Sequence, residues 1–369
     1  MIYLDYNATT PLDPRVADAM QPYLREHHGN PSSSHRLGRT VRAGVDNARR
    51  QVASLLGTSP GEIVFTSGGS EANNHAVKGV AFAAGEGHVI ISAVEHPAIA
   101  VPARWLTDHG FDLTVVGVDS TGLVDPDDIR RAIRPDTILI SIMLANNEVG
   151  TIQPIAEIAR MARSAEVLMH TDAAQAVGKI RTTVNDLGVD LLTVAGHKLH
   201  APPGVGALYI RAETELEPLI HGAGHENGRR AGTEAVPAIV GLGAAAELCS
   251  PYLRDETIRE LRDRFHTGLI EALGDRVVLN GHPTLRLPNT LNVSFRGQVG
   301  VELLGEMENV CASPGAACHS DRPEPSAVLS AMGVDRELAL GAVRFSLGRF
   351  NTEAEVDEAV GEVVRVVNA

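Results

Sequence analysis

An aspartate, a lysine, a histidine and a Gly-Gly-Ser turn in this chain share one property: each stands where a short apolar run ends. Ile63–Thr66 passes into Ser67-Gly68-Gly69-Ser70-Glu71. Glycines let the backbone approach an anion, and a helix start offers unpaired N–H groups, so this turn can cup a phosphate. The competing reading is a plain strand-to-helix turn capped by Ser70. The spacing is not the Gly-x-Gly-x-x-Gly of a dinucleotide site. The run 167–170 leads into Thr171-Asp172-Ala173-Ala174-Gln175. An acid at the carboxyl end of a buried strand points into the ligand crevice of an α/β sheet, although it can equally cap the next helix. Thr193-Val194-Ala195-Gly196-His197-Lys198 closes another run. A lysine desolvated at such a crevice has a lowered pKa and attacks carbonyls, whereas most lysines after a strand sit in water. His96, in Glu95-His96-Pro97, can stack on a flat ring and move protons, or simply open a helix. Asn146-Asn147-Glu148 follows the run 137–143, with amides in reach of a substrate carboxylate.

Taken singly, each motif has an ordinary structural explanation. Together they match what one molecule, pyridoxal 5'-phosphate (PLP), requires. Its phosphate needs an anion cup, which His197 can help to close. Its aldehyde needs a lysine. Its ring nitrogen needs a carboxylate, so that the ring can take up carbanion electrons. Gln175 can bond the ring hydroxyl, and His96 can lie over the ring face.

The elements that must position these groups follow from periodicity. Short runs rich in Val, Ile and Leu at 63–66, 88–93, 113–118, 137–143, 167–170, 190–194 and 206–210 read as strands buried on both faces. Helical patterns at 70–84, 98–109, 125–133 and 154–165 alternate with them, which argues for a mainly parallel sheet flanked by helices. From about residue 235 the pattern changes to long helices at 235–249 and 255–273, then strands, then a last helix at 353–367. With 369 residues the chain exceeds one ordinary core. A large domain at 15–250 and a smaller α+β domain made of 1–14 and 251–369 are expected. The net charge of −14, without a basic block, disfavours direct nucleic-acid binding. The apolar runs are short and strand-like, so no membrane span is expected, and the first ten residues lack the pattern of a signal peptide. The three cysteines, Cys249, Cys311 and Cys318, are too few and too odd for a disulfide framework and point to a reducing cytoplasm. His27-His28, and Cys318-His319 with Asp321, lack a tetrahedral ligand spacing, so no metal site is expected.

Nearly end to end, the chain resembles the cysteine desulfurases, class V aminotransferase-like enzymes of PLP fold type I. The resemblance rests on Tyr3-Leu4-Asp5-Tyr6-Asn7-Ala8-Thr9-Thr10-Pro11, Gly29-Asn30-Pro31-Ser32-Ser33, Glu95-His96-Pro97, Asn146-Asn147-Glu148-Val149-Gly150-Thr151, Arg230-Ala231-Gly232-Thr233-Glu234 and Arg344-Phe345-Ser346-Leu347-Gly348-Arg349-Phe350. It implies that Lys198 forms the Schiff base, that Asp172 pairs with the pyridinium, that Gln175 donates to the phenolate oxygen and that His96 stacks. It assigns Gly69, Ser70 and His197 to the phosphate, with Thr233 donated across a homodimer interface. Asn147 and Arg344 then hold the substrate α-carboxylate, a task suited to the planar fork of Arg. Cys318, in a loop of small residues, accepts the sulfur of L-cysteine as a persulfide and leaves alanine. A sulfur-acceptor protein, a scaffold or thiolation enzyme, takes it onward. Cys249 and Cys311 read as structural.

Three departures stand out. Ala195 replaces a frequent Ser, which removes a phosphate-binding hydroxyl. Residues 199–204 replace a common Tyr-Gly-Pro-Lys-Gly, and His225 replaces a usual Gln. Two rival functions share much of this sequence. One is selenocysteine lyase, whose active-site loop residues 315–321 also resemble. The other is a non-catalytic scaffold of the same fold, which retention of the Lys, Asp, His and Cys together disfavours.

Overall fold

The computed structural model describes residues 1–314, 316–317 and 324–369. The expected sulfur acceptor Cys318 lies outside them. Among the described residues, seven strands form one sheet in the order Ile63–Thr66, Gly206–Ile210, Leu191–Ala195, Leu168–Asp172, Thr137–Ser141, His88–Ser92, Asp112–Val116. From Leu191–Ala195 onward neighbours pair in parallel. Gly206–Ile210 alone runs backward, antiparallel to both flanking strands. Strands His88–Ser92, Leu191–Ala195 and Gly206–Ile210 are buried along their whole length, as expected where helices cover both faces. Those helices are Gly69–Ala84, Pro97–Thr107, Pro126–Ala132 and Ile155–Ser164. Two of them open on a proline, whose missing N–H costs nothing in the first turn.

The strand ends differ from the sequence reading where function is concerned. Asp172 and Ala195 are the last residues of strands rather than loop residues. Asp172 pairs with Thr193, and its carbonyl accepts from Leu144 N at 2.9 Å, so the ladder extends past the apolar run. At the other end of that edge, a Cβ on Gly206 would lie 2.8 Å from Gly68 Cα. Only glycine lets the reversed strand start against the Gly68 turn.

A second core gathers Ile2, Leu4, Leu261, Phe265, Leu291, Phe295, Val343, Phe345, Val356 and Val363. Its sheet is antiparallel, in the order Ser313–Pro314, Ala342–Ser346, Thr290–Phe295, Val277–Asn280. Helices Thr257–Leu273 and Glu353–Val367 pack on it. The N-terminal segment joins this core: Ile2–Tyr3 pairs with Val310–Cys311, and Asp5 bridges to Ser346. Helix Val236–Cys249 does not follow the change of pattern that begins near 235. It packs on Pro14–Arg25 and Arg36–Leu56, with Leu242, Ala245 and Ala246 in the core around the large sheet. The stretch Val236–Arg254 is long and apolar enough to cross a membrane, unlike the short strand-like runs expected from the sequence. Here it is a core helix.

Candidate active site

Strands ending at Thr66, Ser92, Ser141, Asp172 and Ala195 deliver the residues that follow them to one cavity of about 460 Å³. Gly69, Ser70, His96, Asn147, Asp172, Gln175, His197, Lys198 and Arg344 all line it. The sheet thus brings together groups separated by up to 275 residues in the numbering, from 69 to 344. Cavities at the carboxyl edge of a parallel sheet are where α/β proteins bind ligands.

Helix Gly69–Ala84 begins with its free N–H groups at this edge, and its N-cap is Gly68, without a side-chain cap bond. Ser70 is therefore not the cap, and its hydroxyl is left to the cavity that it lines. A Cβ on Gly69 would lie 3.2 Å from Ala195 Cβ. The two small residues leave a shallow cradle beside the helix start.

Asp172 lines the cavity and caps no helix, because a turn follows it and the next helix is Val184–Leu187. Oδ1 accepts from Ala174 N at 2.9 Å, which shapes the turn, while Oδ2 accepts from Asn73 Nδ2 at 2.7 Å inside the cavity wall. His96 caps Pro97–Thr107, its Nδ1 accepting from Ala98 N at 3.1 Å. Burial lowers its pKa, with Asp172 opposing and Lys198 adding to the effect. Next to it in the chain, Glu95 is buried. Oε1 accepts from Ser92 Oγ at 2.6 Å and Met143 N at 2.9 Å, and Oε2 has no partner among the described residues. Burial pushes this carboxyl up to about 8.

Lys198 Nζ donates to the backbone carbonyls of Asn7 at 2.6 Å and Ala8 at 2.7 Å. Burial, reinforced by Arg344 and opposed by Asp5 and Asp172, lowers its pKa to about 8. An amine so poised reaches its nucleophilic neutral form near neutral pH. Burial and the neighbouring Lys198, His96 and Lys179 lower His197 to about 4. Gln175 donates from Nε2 to Asn7 O at 3.0 Å.

The opposite wall comes from the second core. Arg344 donates to Asn147 O at 3.0 Å, to Asp5 Oδ1 at 2.7 Å and to Ser313 Oγ at 2.9 Å. Its Nε is buried without a partner among the described residues. Asn7 joins the walls. It donates to Thr290 Oγ1 at 2.9 Å, Asn147 O at 3.2 Å and Ser346 Oγ at 2.9 Å.

One expectation, on the amide pair, is not met in this cavity. Asn146 is buried outside it, folding its own loop by accepting from Glu148 N and Val149 N, so only Asn147 of the amide pair faces the ligand space. Thr233, expected to serve a partner subunit's site, is exposed and does not line this cavity. Among the described residues no His, Cys, Asp and Glu cluster could hold a metal ion.

Residues 2–359 match the family model described as aminotransferase class-V. A curated relative, cysteine desulfurase IscS of Dictyoglomus turgidum, is 48% identical over 99% of this chain and 94% of its own length. Among solved structures, a NifS-like protein superposes with a TM-score of 0.93 at 38% identity, covering 100% of this chain and 99% of the other. SspA in complex with cysteine superposes with a TM-score of 0.86 at 36% identity, covering 95% and 100%. The chain belongs to the cysteine desulfurases of the class V aminotransferase family. The fold is therefore PLP fold type I, the cofactor of this desulfurase is PLP, and its reaction takes sulfur from L-cysteine for an acceptor.

The residues present fit that cofactor. The cavity lies within the size range of small-molecule sites. A desolvated lysine, a carboxylate fixed by two donors, a free helix start beside a small-residue cradle and an imidazole line it together. The sequence alone assigns no role to Asn73 or Asn7. Asn73 sits one helical turn from Ser70, a spacing that could have marked it as sharing that cavity-facing side. Asn7 lies in an irregular segment with no periodicity to read.

Proposed function

We propose that this desulfurase carries PLP on Lys198 and delivers the sulfur of cysteine to Cys318. In this reading Asp172 holds the ring-nitrogen proton, Gln175 donates to the ring oxygen and His96 lies over the ring face. Gly69, Ser70 and His197 hold the phosphate, without the hydroxyl that Ala195 lacks. Thr233 adds a phosphate contact from the partner subunit of a homodimer; its exposure and its distance from its own cavity support that. Asn147 and Arg344 hold the substrate carboxylate. The observation that carries the reading is the convergence of Lys198, Asp172, His96 and Arg344 on one cavity, with the lysine already desolvated.

Bound PLP supplies an electron sink for bond breaking at the substrate α-carbon. Lys198 moves the α-proton, and His96 shuttles a proton at the substrate sulfur. The Cys318 thiolate attacks that sulfur. An S–S bond forms, the Cβ–S bond of cysteine breaks, and its electron pair stays with the three-carbon fragment, which takes a proton to become alanine. A thiol of an acceptor protein then takes the sulfur from Cys318 by exchange. The separate cores around the large sheet and around Phe345 support a large domain at 15–250 and a small one at 1–14 and 251–369. The low, odd cysteine count supports a cytoplasmic setting.

The test is to add L-cysteine to the purified holoenzyme and assay alanine and protein-bound persulfide. Cys318→Ala is expected to retain the PLP absorption band and to lose persulfide and alanine formation by at least ~10³-fold, the scale of a lost nucleophile. Full alanine formation by that variant would overturn the assignment of Cys318.

A further inference from the structure

Lys179 is a half-buried lysine that the proposed reaction does not use. It follows the turn closed by Gly178 and lines a small separate cavity behind Lys198, not the ligand cavity. Its Nζ donates to Asn7 Oδ1 at 2.9 Å and to Gln175 Oε1 at 2.8 Å, and no carboxylate pairs with it among the described residues. Both acceptors are side-chain amide oxygens. A lysine ammonium has donors only, and the neutral amine still has two N–H groups for two oxygens. The oxygens of Asn7 and Gln175 face Lys179, so their NH₂ groups face away. For Gln175 this sends Nε2 to Asn7 O at 3.0 Å and leaves its second N–H for the cavity that Gln175 lines. Asn7 O is also the acceptor for Lys198 Nζ, so a single carbonyl ties the two amides to the reactive lysine.

We propose that Lys179 is a positioning residue that sets the orientation of the Gln175 amide, so that an N–H and not a carbonyl oxygen meets the cofactor's ring oxygen. This rests on the reading of Gln175 as that oxygen's partner. Without Lys179 a half-turn about the last side-chain torsion exchanges the amide's O and N at little cost, since such torsions are broad and roughly two-fold. The ring oxygen would then meet another acceptor. An unpaired buried ammonium is unfavourable for the fold. Burial, with Lys198 and Arg344 beside it, holds the Lys179 pKa well below its ordinary value.

The test reads the pH midpoint of the holoenzyme's visible absorption band, which follows the proton on the Lys198 nitrogen. The charged groups around that nitrogen are Arg344, Asp5, Asp172 and Lys179, with His96 and His197 lining the same cavity. Losing the donor to the ring oxygen leaves more electron density beside the nitrogen and favours its proton. Gln175→Leu and Lys179→Met are each expected to raise the midpoint by about one unit, with weaker PLP retention on dialysis. In the Gln175→Leu background Lys179→Met is expected to add much less than it does alone. If Gln175→Leu shifts the midpoint and Lys179→Met does not, the orientation role is overturned while the reading of Gln175 stands. It is also overturned if Lys179→Met shifts the midpoint equally in both backgrounds, since charge alone is then acting. If neither variant shifts it, the reading of Gln175 falls, and the proposal with it. Should Lys179→Met not fold, neutron diffraction of the unaltered holoenzyme decides. Deuterons on the Gln175 side-chain atom that faces the cavity support the proposal, and deuterons on the atom that faces Lys179 overturn it.

Discussion

The two walls of the ligand cavity are built in different ways. One wall is a row of strand ends. Asp172 and Ala195 are held by ladder bonds of the sheet, and Gly69 and His96 by the starts of the helices that follow. Most residues on it are fixed by neighbouring strands and helices of the one large sheet. The other wall has no such scaffold. Arg344 lies on a strand of the second core, Asp5 and Asn7 lie in an irregular segment, and they meet through ion pairs and amide bonds that span most of the chain. The first wall is a product of the large sheet, and the second exists only when both cores are assembled against each other. The residues proposed to hold the cofactor are mostly on the first wall and those proposed for the substrate mostly on the second, so damage to each should show in different quantities.

The sharpest division is expected from Asp172→Asn. The fold should survive, because Asn keeps an oxygen for Ala174 N, and Asn73 can turn its unpartnered Oδ1 toward the new NH₂. The ring nitrogen loses its anion, and kcat should fall by about 10³-fold with little change in KM. Steady-state kinetics would check this; a KM effect alone would contradict the division.

Glu95, beneath the same wall, should show in stability. The folded protein keeps this proton up to about pH 8, whereas the ordinary carboxyl loses it near 4.5. Between those values the folded state binds more protons than the unfolded state, so stability falls as pH rises. In Glu95→Gln the amide oxygen still accepts from Ser92 and Met143 N, and the titration is gone. Its melting temperature should decline less than that of the parent across pH 4.5–8, a difference on the order of a few kcal/mol. Parallel melting curves would refute the buried-acid account.

On the substrate wall, Arg344→Lys keeps a charge but loses the fork. KM for cysteine should rise by about 10- to 100-fold, with PLP content unchanged. The smallest effect is expected from Asp5→Asn, which loosens the Asp5–Arg344 pair without removing the cation. A few-fold rise in KM, on the order of 1 kcal/mol for a partly screened pair, is the expectation. A loss of PLP from either variant would show that the two walls are not separable.

The same contrast explains what could be read from sequence. Strand and helix alternation, the identity of the large sheet and the cavity positions of Lys198, Asp172, Gln175, His96, Gly69 and Ser70 were legible because hydrophobic runs end where ligand crevices begin. Element ends were less so: Asp172 and Ala195 are polar or small at the end of apolar runs, and only the pairing with Thr193 and Gly206 shows that the ladder includes them. Helix Val236–Cys249 is apolar nearly all round, so its pattern could not say which core it joins. Lys179 reads as an ordinary surface lysine, and burying the amine of one without a carboxylate is rare enough that no pattern warns of it. Asn7, with partners at 147, 175, 179, 198, 289, 290 and 346, is a hub that only the folded chain displays. Arg344 was found through family resemblance rather than spacing.

The bond from Asn7 N to Ser346 Oγ, across 339 positions, sets an order on the making of the enzyme. The large sheet can form while the ribosome is still translating, since its last strand ends at Ile210. The segment that receives the Lys198 amine cannot settle until Ala342–Ser346 has emerged, because Leu4 and Asp5 dock on that strand. A nascent chain therefore carries the reactive lysine long before the wall opposite it, and the complete cavity waits for the strand that ends at Ser346.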